Sequence, residues 1–145
     1  MAYQIHKAKE ETEELQLFAD GQLKKTIVVR LDKDGLAQKL SEKHIQLIHA
    51  QKEAQQMQSD MAAGKPVEIE KAYEKVGQVI IDMFETVFGK EDSDAIREFY
   101  GQNTIQMCSE VMPFITDVVL PKVRKLKQAN KKRKINSFKQ KKFFG

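Results

Sequence analysis

Residues that could perform acid–base, nucleophilic or metal chemistry are few in this sequence and do not form a known arrangement. The chain has three histidines, His6, His44 and His49, and one cysteine, Cys108. His44 and His49 are five positions apart on a predicted helix, so their side chains point about 140° apart and cannot share a metal ion as an i, i+4 pair would. We therefore predict no metal site. Cys108 falls within an apolar stripe with no histidine near it in local spacing, so we predict no nucleophile there.

Carboxylates and glycines also lack a catalytic arrangement. Acidic pairs such as Glu13-Glu14 and Glu91-Asp92 are most simply solvated charges and capping residues. The seven glycines are scattered, and those before the C-terminus fall at predicted turns or helix ends, except Gly77, where a small residue would permit close backbone approach. The sequence predicts no phosphate-binding loop, no catalytic residue and no cofactor-binding residue.

Composition and charge restrict the class of protein. A chain of 145 residues with 41% hydrophobic residues is the size of one ordinary domain and can bury a core. One cysteine and the lack of a long apolar run exclude a disulfide scaffold and a membrane span, and the first residues lack an apolar signal-peptide core. We therefore expect a cytoplasmic protein.

The net charge of +4 conceals a strong asymmetry along the chain. From Lys122 to the end there are eleven Lys or Arg residues and no acid, which leaves 14 bases against 21 acids, a net charge of −7, in residues 1–121. The sequence pI of about 9.1 therefore describes the tail and not the body. For this reason the pI alone does not indicate a nucleic-acid-binding fold.

The first secondary structure that the sequence predicts is a β-hairpin. Asp20-Gly21 accepts positive φ at both central positions of a tight turn, and it separates apolar arms at residues 15–19 and 22–31. The second arm is rich in β-branched residues, with Ile27 and Val29 on the face opposite Val28. A two-stranded ribbon is marginally stable alone, so it must pack on the helices or pair with another chain.

Apolar residues at spacings of three and four predict helices in the rest of the body. We predict a first helix that begins at Gly35 or Leu36, is capped by Asp34 and runs to about residue 59, and a second over residues 67–88, ended by Gly89. A polar turn at residues 90–93 would then lead, through a cap at Asp92, Ser93 or Asp94, into a short helix that Gly101 stops. The last helix would start at Thr104, capped by Asn103.

Two apolar stripes define the centre of the predicted core. The second of them keeps its phase across Pro113 and Pro121, which indicates one helix kinked at its prolines and not two separate helices. The stripes are Ile69, Ala72, Tyr73, Val76, Ile80, Met83, Phe84 and Val87, followed by Ile105, Cys108, Met112, Ile115, Val119, Val123 and Leu126.

The predicted fold is α+β and mainly α: an N-terminal β-hairpin, three principal helices and one short helix, and a disordered basic tail. We divide it into a flexible lead-in at residues 1–14, a single hairpin-plus-helical domain at residues 15–127 and the tail at residues 128–145.

The candidate partner-binding residues are apolar side chains that the predicted stripes do not use. The first long helix loses its stripe after Ile48, and Phe114 lies far round its helix from the main stripe. Methionine is adaptable at binding surfaces, although we expect Met83 and Met112 in the core and leave Met107 among the surface residues. The predicted contacts on the body, to a partner or to a second copy, are Met57, Met61, Tyr100 and Phe114.

The basic tail has two interpretations. In the first, the tail keeps the protein soluble and also contacts acidic protein surfaces. In the second, its charges neutralise nucleic-acid phosphates, and Phe138, Phe143 and Phe144 stack on bases. The residues that would carry the charge contact are Lys131, Lys132, Arg133 and Lys134.

Three segments carry a resemblance to a family. The sequences FETVFGKED at residues 84–92, IREFYGQN at 96–103 and VMPFITDVVLPKV at 111–123 resemble small tail assembly chaperones of phages and prophages of Gram-positive bacteria. The resemblance covers about residues 15–127 and implies a protein in the cytoplasm of a bacterial host that is not an enzyme and needs no cofactor. Such a protein binds the long tape-measure protein and is displaced as tail-tube subunits polymerise. The alternatives are a small nucleic-acid-binding or regulatory protein acting through its tail, and a structural tail component.

Overall fold

The computed structural model describes residues 2–6, 11–101, 103–129 and 131. It confirms the predicted class, with a β-hairpin followed by helices. The elements are β1 Thr12–Ala19, β2 Gln22–Arg30, α1 Leu36–Ala62, α2 Ile69–Tyr100, α3 Thr104–Pro113, a π-helical turn Phe114–Val119, and α4 at residues 120–129. The helix thus continues past the predicted domain end at residue 127, and most of the predicted disordered tail lies outside the described residues.

The hairpin forms at the predicted turn. Asp20 and Gly21 have φ of 54° and 74°, and β1 and β2 pair antiparallel with one register shift after Leu17. The alternation in β2 is also confirmed, since Ile27 is 1% exposed and Val28 is 53% exposed. β1 starts at Thr12, within the predicted lead-in, because backbone pairing with Arg30 needs no apolar side chain.

Helices α1 and α2 form an antiparallel helical hairpin. Lys43 forms an ion pair of 3.5 Å with Asp82, and Glu53 one of 3.1 Å with Lys75, so the end of α1 lies beside the start of α2. The buried side chains of α1 recur at the spacing of a coiled-coil seam and change from large to small along it. They are Leu36, Leu40, Leu47, Ala50 and Ala54, with Ala72 on the α2 side.

The start of α1 differs from the prediction. Gly35, in a left-handed conformation with φ of 73°, occupies the cap position, and no side chain caps the helix. The predicted cap at Asp34 is therefore wrong. Asp34 lies one residue too early in the chain, because a cap side chain must reach an N–H two or three residues after the cap position.

The predicted polar turn at residues 90–93 is also wrong. These residues are helical, and Gly89 alone breaks α2, with φ of 79° and ψ of 167°. One glycine can make this change of direction because it lacks the Cβ that forbids such angles. Ser93, a predicted cap, is instead buried within the helix, and its hydroxyl has no hydrogen-bond partner among the described residues.

The chain from Thr104 to residue 129 is continuous helix, as predicted, and the side chain of Asn103 accepts a bond of 3.1 Å from the Gln106 N–H. The π-helical turn lies directly between the two prolines. There the Leu120 N–H donates to the Ile115 carbonyl, five residues back. The wider turn ends just before Pro121, whose ring would clash with a carbonyl four residues back in a regular helix.

The buried face of α3 differs from the predicted stripe. Met107 is buried and belongs to the core, so leaving it among the surface residues was wrong, whereas Ile105 is 85% exposed. Cys108 and Met112 are half-buried. Met83 is fully buried, as predicted. The buried residues of the last helix are Met107, Val111, Ile115, Val119, Leu120 and Val123.

The core lies between the inner face of the hairpin and the helices. Its largest fully buried side chains come from β2, α1, α2 and the π-helical turn: Phe84, Ile27, Leu40, Met83, Ile96 and Ile115. Among the described residues, two ion pairs connect the hairpin to the helices, Lys25 with Asp92 at 3.5 Å and Lys122 with Glu13.

Candidate partner-binding surface

Tyr100 joins two helices through a hydrogen-bond network. Its hydroxyl donates to Glu110 at 2.7 Å, and the Gln106 side chain donates to the other oxygen of Glu110 at 3.1 Å. The hydrogen bonds from Tyr100 and then Gln106 lower the pKa of Glu110. Burial, and then the bond to Glu110, raise the pKa of Tyr100 well above its usual range. Tyr100 therefore ties the end of α2 to α3.

This network predicts a change of stability at high pH. The pKa of Tyr100 is higher in the folded state than its ordinary value of about 10, so the protonated hydroxyl stabilises the folded state. This stabilisation is complete below about pH 10 and is lost as the pH rises through the folded-state pKa. The slope of unfolding free energy against pH should therefore be negative above about pH 10 and shallower in Tyr100→Phe. Urea unfolding at a series of pH values measures both slopes.

Glu110→Gln is the matched variant, because it keeps the shape of the carboxylate and removes its charge. Tyrosinate absorbance should then show one tyrosine titrating at lower pH than in the wild type. Equal pH slopes in the wild type and Tyr100→Phe would contradict the role given to Tyr100.

The other predicted contact residues on the body occupy different environments. Phe114 is half-buried and stacks on Phe88, with ring centres 6.1 Å apart and planes at 11°. Met57 is half-buried, three positions after Ala54 on the seam with α2, and Met61 is 49% exposed at the end of α1. Only Met61 thus has a large free apolar surface.

The predicted contacts do not form one surface. The side chain of Gln58, beside Met57, hydrogen-bonds Tyr73 near the start of α2. Phe114 instead stacks on Phe88, fifteen positions further along α2, which is about 22 Å at 1.5 Å per residue. Met57 and Met61 therefore lie at one end of the helical hairpin, and Phe114 packs near the other.

The described part of the basic region is helical. Lys131 is exposed, and it lines a groove of about 430 Å³ between α1 and α4 together with Arg124 and Lys127. Arg124 donates a bond of 3.4 Å to the Ser41 hydroxyl. The remaining predicted tail residues, Lys132, Arg133 and Lys134, lie outside the described residues.

An apolar cleft between α2 and α3 was missed by the sequence reasoning. It has a volume of about 580 Å³ and lies at the start of α3. The available signal was Gly77, a glycine inside a helical pattern that no turn or helix end explains. The cleft is lined by Gly77, Ile80, Ile81, Asp94, Arg97, Gly101, Thr104, Met107 and Cys108.

Cys108 has little reactivity in this cleft. Burial raises the pKa of its thiol, which keeps it protonated near neutral pH. Among the described residues, no group of three or more His, Cys, Asp or Glu side chains is placed to hold a metal ion. Within the same residues, no helix combines the length and apolar character required to cross a bilayer. Comparison of the chain with protein-family models, curated proteins and solved structures found no match.

Proposed function

We propose that this chain is a phage tail assembly chaperone that binds helical segments of a tape-measure protein without catalysing a reaction. The observation that carries the proposal is the apolar area that the helices leave exposed. Large apolar side chains that remain exposed can contact a partner, and here they are spread over three helices. On the helices these exposed side chains are Ile45, Ile48, Met61, Tyr73 and Ile105.

The segments that resemble the chaperone family support the proposal through the packing they provide. The first contains Phe84 and Phe88, which are buried in the core, and Gly89, which breaks α2. The third contains the two prolines and the π-helical turn between them. The second segment contributes Arg97 and Gly101 to the lining of the cleft between α2 and α3.

Binding by this surface would be stoichiometric and reversible. Covering the apolar face of a helical segment removes that face from water and keeps the segment soluble until tail-tube subunits replace the chaperone. Because tail-tube subunits must displace the chaperone, the proposed complex requires an affinity low enough for release.

Co-purification tests the proposal. If a gene for a long helical protein lies beside this one, overlapping segments of that protein should be insoluble alone and soluble when co-expressed with this chain. Mass spectrometry of finished particles should not detect the chain. Failure to bind any segment would refute the proposal, and stoichiometric presence in particles would identify a structural tail component instead.

One observation favours a second candidate, nucleic-acid binding. Arg124, Lys127 and Lys131 recur at i, i+3 and i+7, so they lie on one helix face and could follow a phosphate backbone. Retention of DNA at about 150 mM salt, lost when the three residues are replaced by glutamate, would support this function, because weak charge-only binding is screened at that salt.

A further inference from the structure

Gly77 is a glycine that the fold of this chain does not require. Its backbone is helical, whereas the other described glycines, Gly21, Gly35, Gly64, Gly89 and Gly101, all have positive φ. Neighbouring elements do not crowd it either, since no atom of the described chain beyond its own helix backbone lies within 4 Å of the place where a Cβ would be. The close approach predicted at Gly77 is therefore not made within the described chain. Glycine inside a helix nevertheless lowers helix stability relative to alanine.

The surroundings of Gly77 are open and mainly apolar, although the Asp94–Arg97 ion pair of 3.8 Å also lines the cleft. Ile80 and Ile81 follow it on α2 and line the cleft, and Met107 lines the α3 side. Tyr73, one turn earlier on the same face of α2, is 47% exposed. The apolar strip therefore extends along α2 beyond the part that α3 covers.

Acidic side chains border the same strip. Glu70 and Glu74 lie seven and three positions before Gly77, which places both on its face of the helix. Both are exposed, and neither side chain forms an ion pair or a hydrogen bond with a described residue. Unpaired carboxylates beside an apolar strip are complementary to a partner that carries Lys or Arg next to its own apolar residues.

We propose that this cleft binds an amphipathic α-helix that crosses α2 at Gly77. The partner helix has a small residue at the crossing, apolar residues towards Ile80 and Ile81, and basic residues beside Glu70 and Glu74. A missing side chain between Tyr73 and Ile81 leaves a notch, into which a ridge of a second helix fits at short backbone separation. This inference rests on the proposed function, because it places the tape-measure segment on the chaperone.

Gly77→Ala should stabilise the free protein and weaken its binding to the partner helix. In the free protein the melting temperature should rise by about 2–4 °C, because alanine favours the helix and its methyl group enters open space. Binding of the tape-measure segments should weaken by about tenfold, because the methyl group fills the crossing point. Thermal unfolding and fluorescence titration with labelled segments measure the two effects.

Lys71→Ala is the matched control on the same helix. Lys71 lies six positions before Gly77, about 120° around α2, and its ion pair with Glu68 is exposed. This variant should bind the segments as the wild type does. If Gly77→Ala also binds like the wild type, the crossing at Gly77 is wrong although the proposed function stands. If the wild type binds no segment, the proposed function fails and this inference fails with it.

A charge variant tests the chemistry of the partner. Replacing Glu70 and Glu74 with glutamine should weaken binding several-fold at low salt and reduce its salt dependence, while leaving the melting temperature almost unchanged. Salt dependence equal to that of the wild type would refute basic residues beside these two carboxylates.

Discussion

Gly89→Ala is expected to lower the free energy of unfolding by about 2–3 kcal/mol, the upper part of the range for a residue held in a conformation that only glycine adopts readily. With φ of 79° and ψ of 167°, Gly89 makes the whole change of direction between the two parts of α2. Alanine must either take these strained angles or straighten the helix, which would withdraw Ile96 from the core. Urea denaturation gives the change directly.

The same substitution twelve positions earlier is the control. Gly77→Ala, on the same helix, should change stability in the opposite direction, since its backbone is helical and the added methyl group meets open space. The pair separates backbone strain from the general effect of adding a methyl group. Stabilisation by both substitutions would show that the break at Gly89 is not needed for folding.

Phe84→Ala is expected to cause the largest loss of stability, about 3–5 kcal/mol, from lost apolar transfer energy and the cavity left behind. Phe84 is fully buried, and its ring meets Phe88 edge to face, with centres 5.9 Å apart. Because total stabilities are about 5–15 kcal/mol, this variant could be largely unfolded at physiological temperature.

Phe18→Ala provides the comparison for Phe84. Phe18 is 55% exposed on the outer side of the hairpin, opposite Leu23, so its replacement should cost less than about 1 kcal/mol. Circular dichroism and chemical denaturation of both variants measure the difference. Similar losses of stability at the two positions would indicate that the outer face of the hairpin is buried against another chain.

Local patterns predict the elements of this fold well. The Asp-Gly turn, the alternation of Ile27 with Val28, and the cap at Asn103 depend on neighbouring residues, and each is confirmed. The buried face of α3 could not be read in this way. A π-helical turn uses one more residue than a regular turn, and each extra residue shifts the helix phase by about 100°. The sequence prediction assumes regular helical spacing across Pro113 and therefore places Ile105 and Cys108 on the buried face. In the structure, the buried residues of this part of the helix are Met107 and Val111.

The candidate surface was less predictable because it depends on contacts between distant residues. Sequence spacing could show that Tyr100 and Phe114 are aromatic and lie near the connection between helices. It could not show that Tyr100 bonds Glu110 or that Phe114 stacks on Phe88, since both contacts depend on how α2 and α3 pack. The cleft at Gly77 likewise exists only when the start of α3 stands beside the middle of α2.

The change from leucine to alanine along the α1–α2 seam gives the molecule two regions of different kinetic behaviour. Between residues 48 and 76, the buried apolar side chains are Ala50, Ala54 and Ala72. Alanine removes little surface from water, so separating this end of the two helices costs less free energy than unfolding the core around Phe84. Amide protons in the far end should exchange with solvent through local opening, while those near Leu40 and Phe84 exchange only on global unfolding. A helix bound across Tyr73 and Gly77 would slow the first process and leave the second almost unchanged.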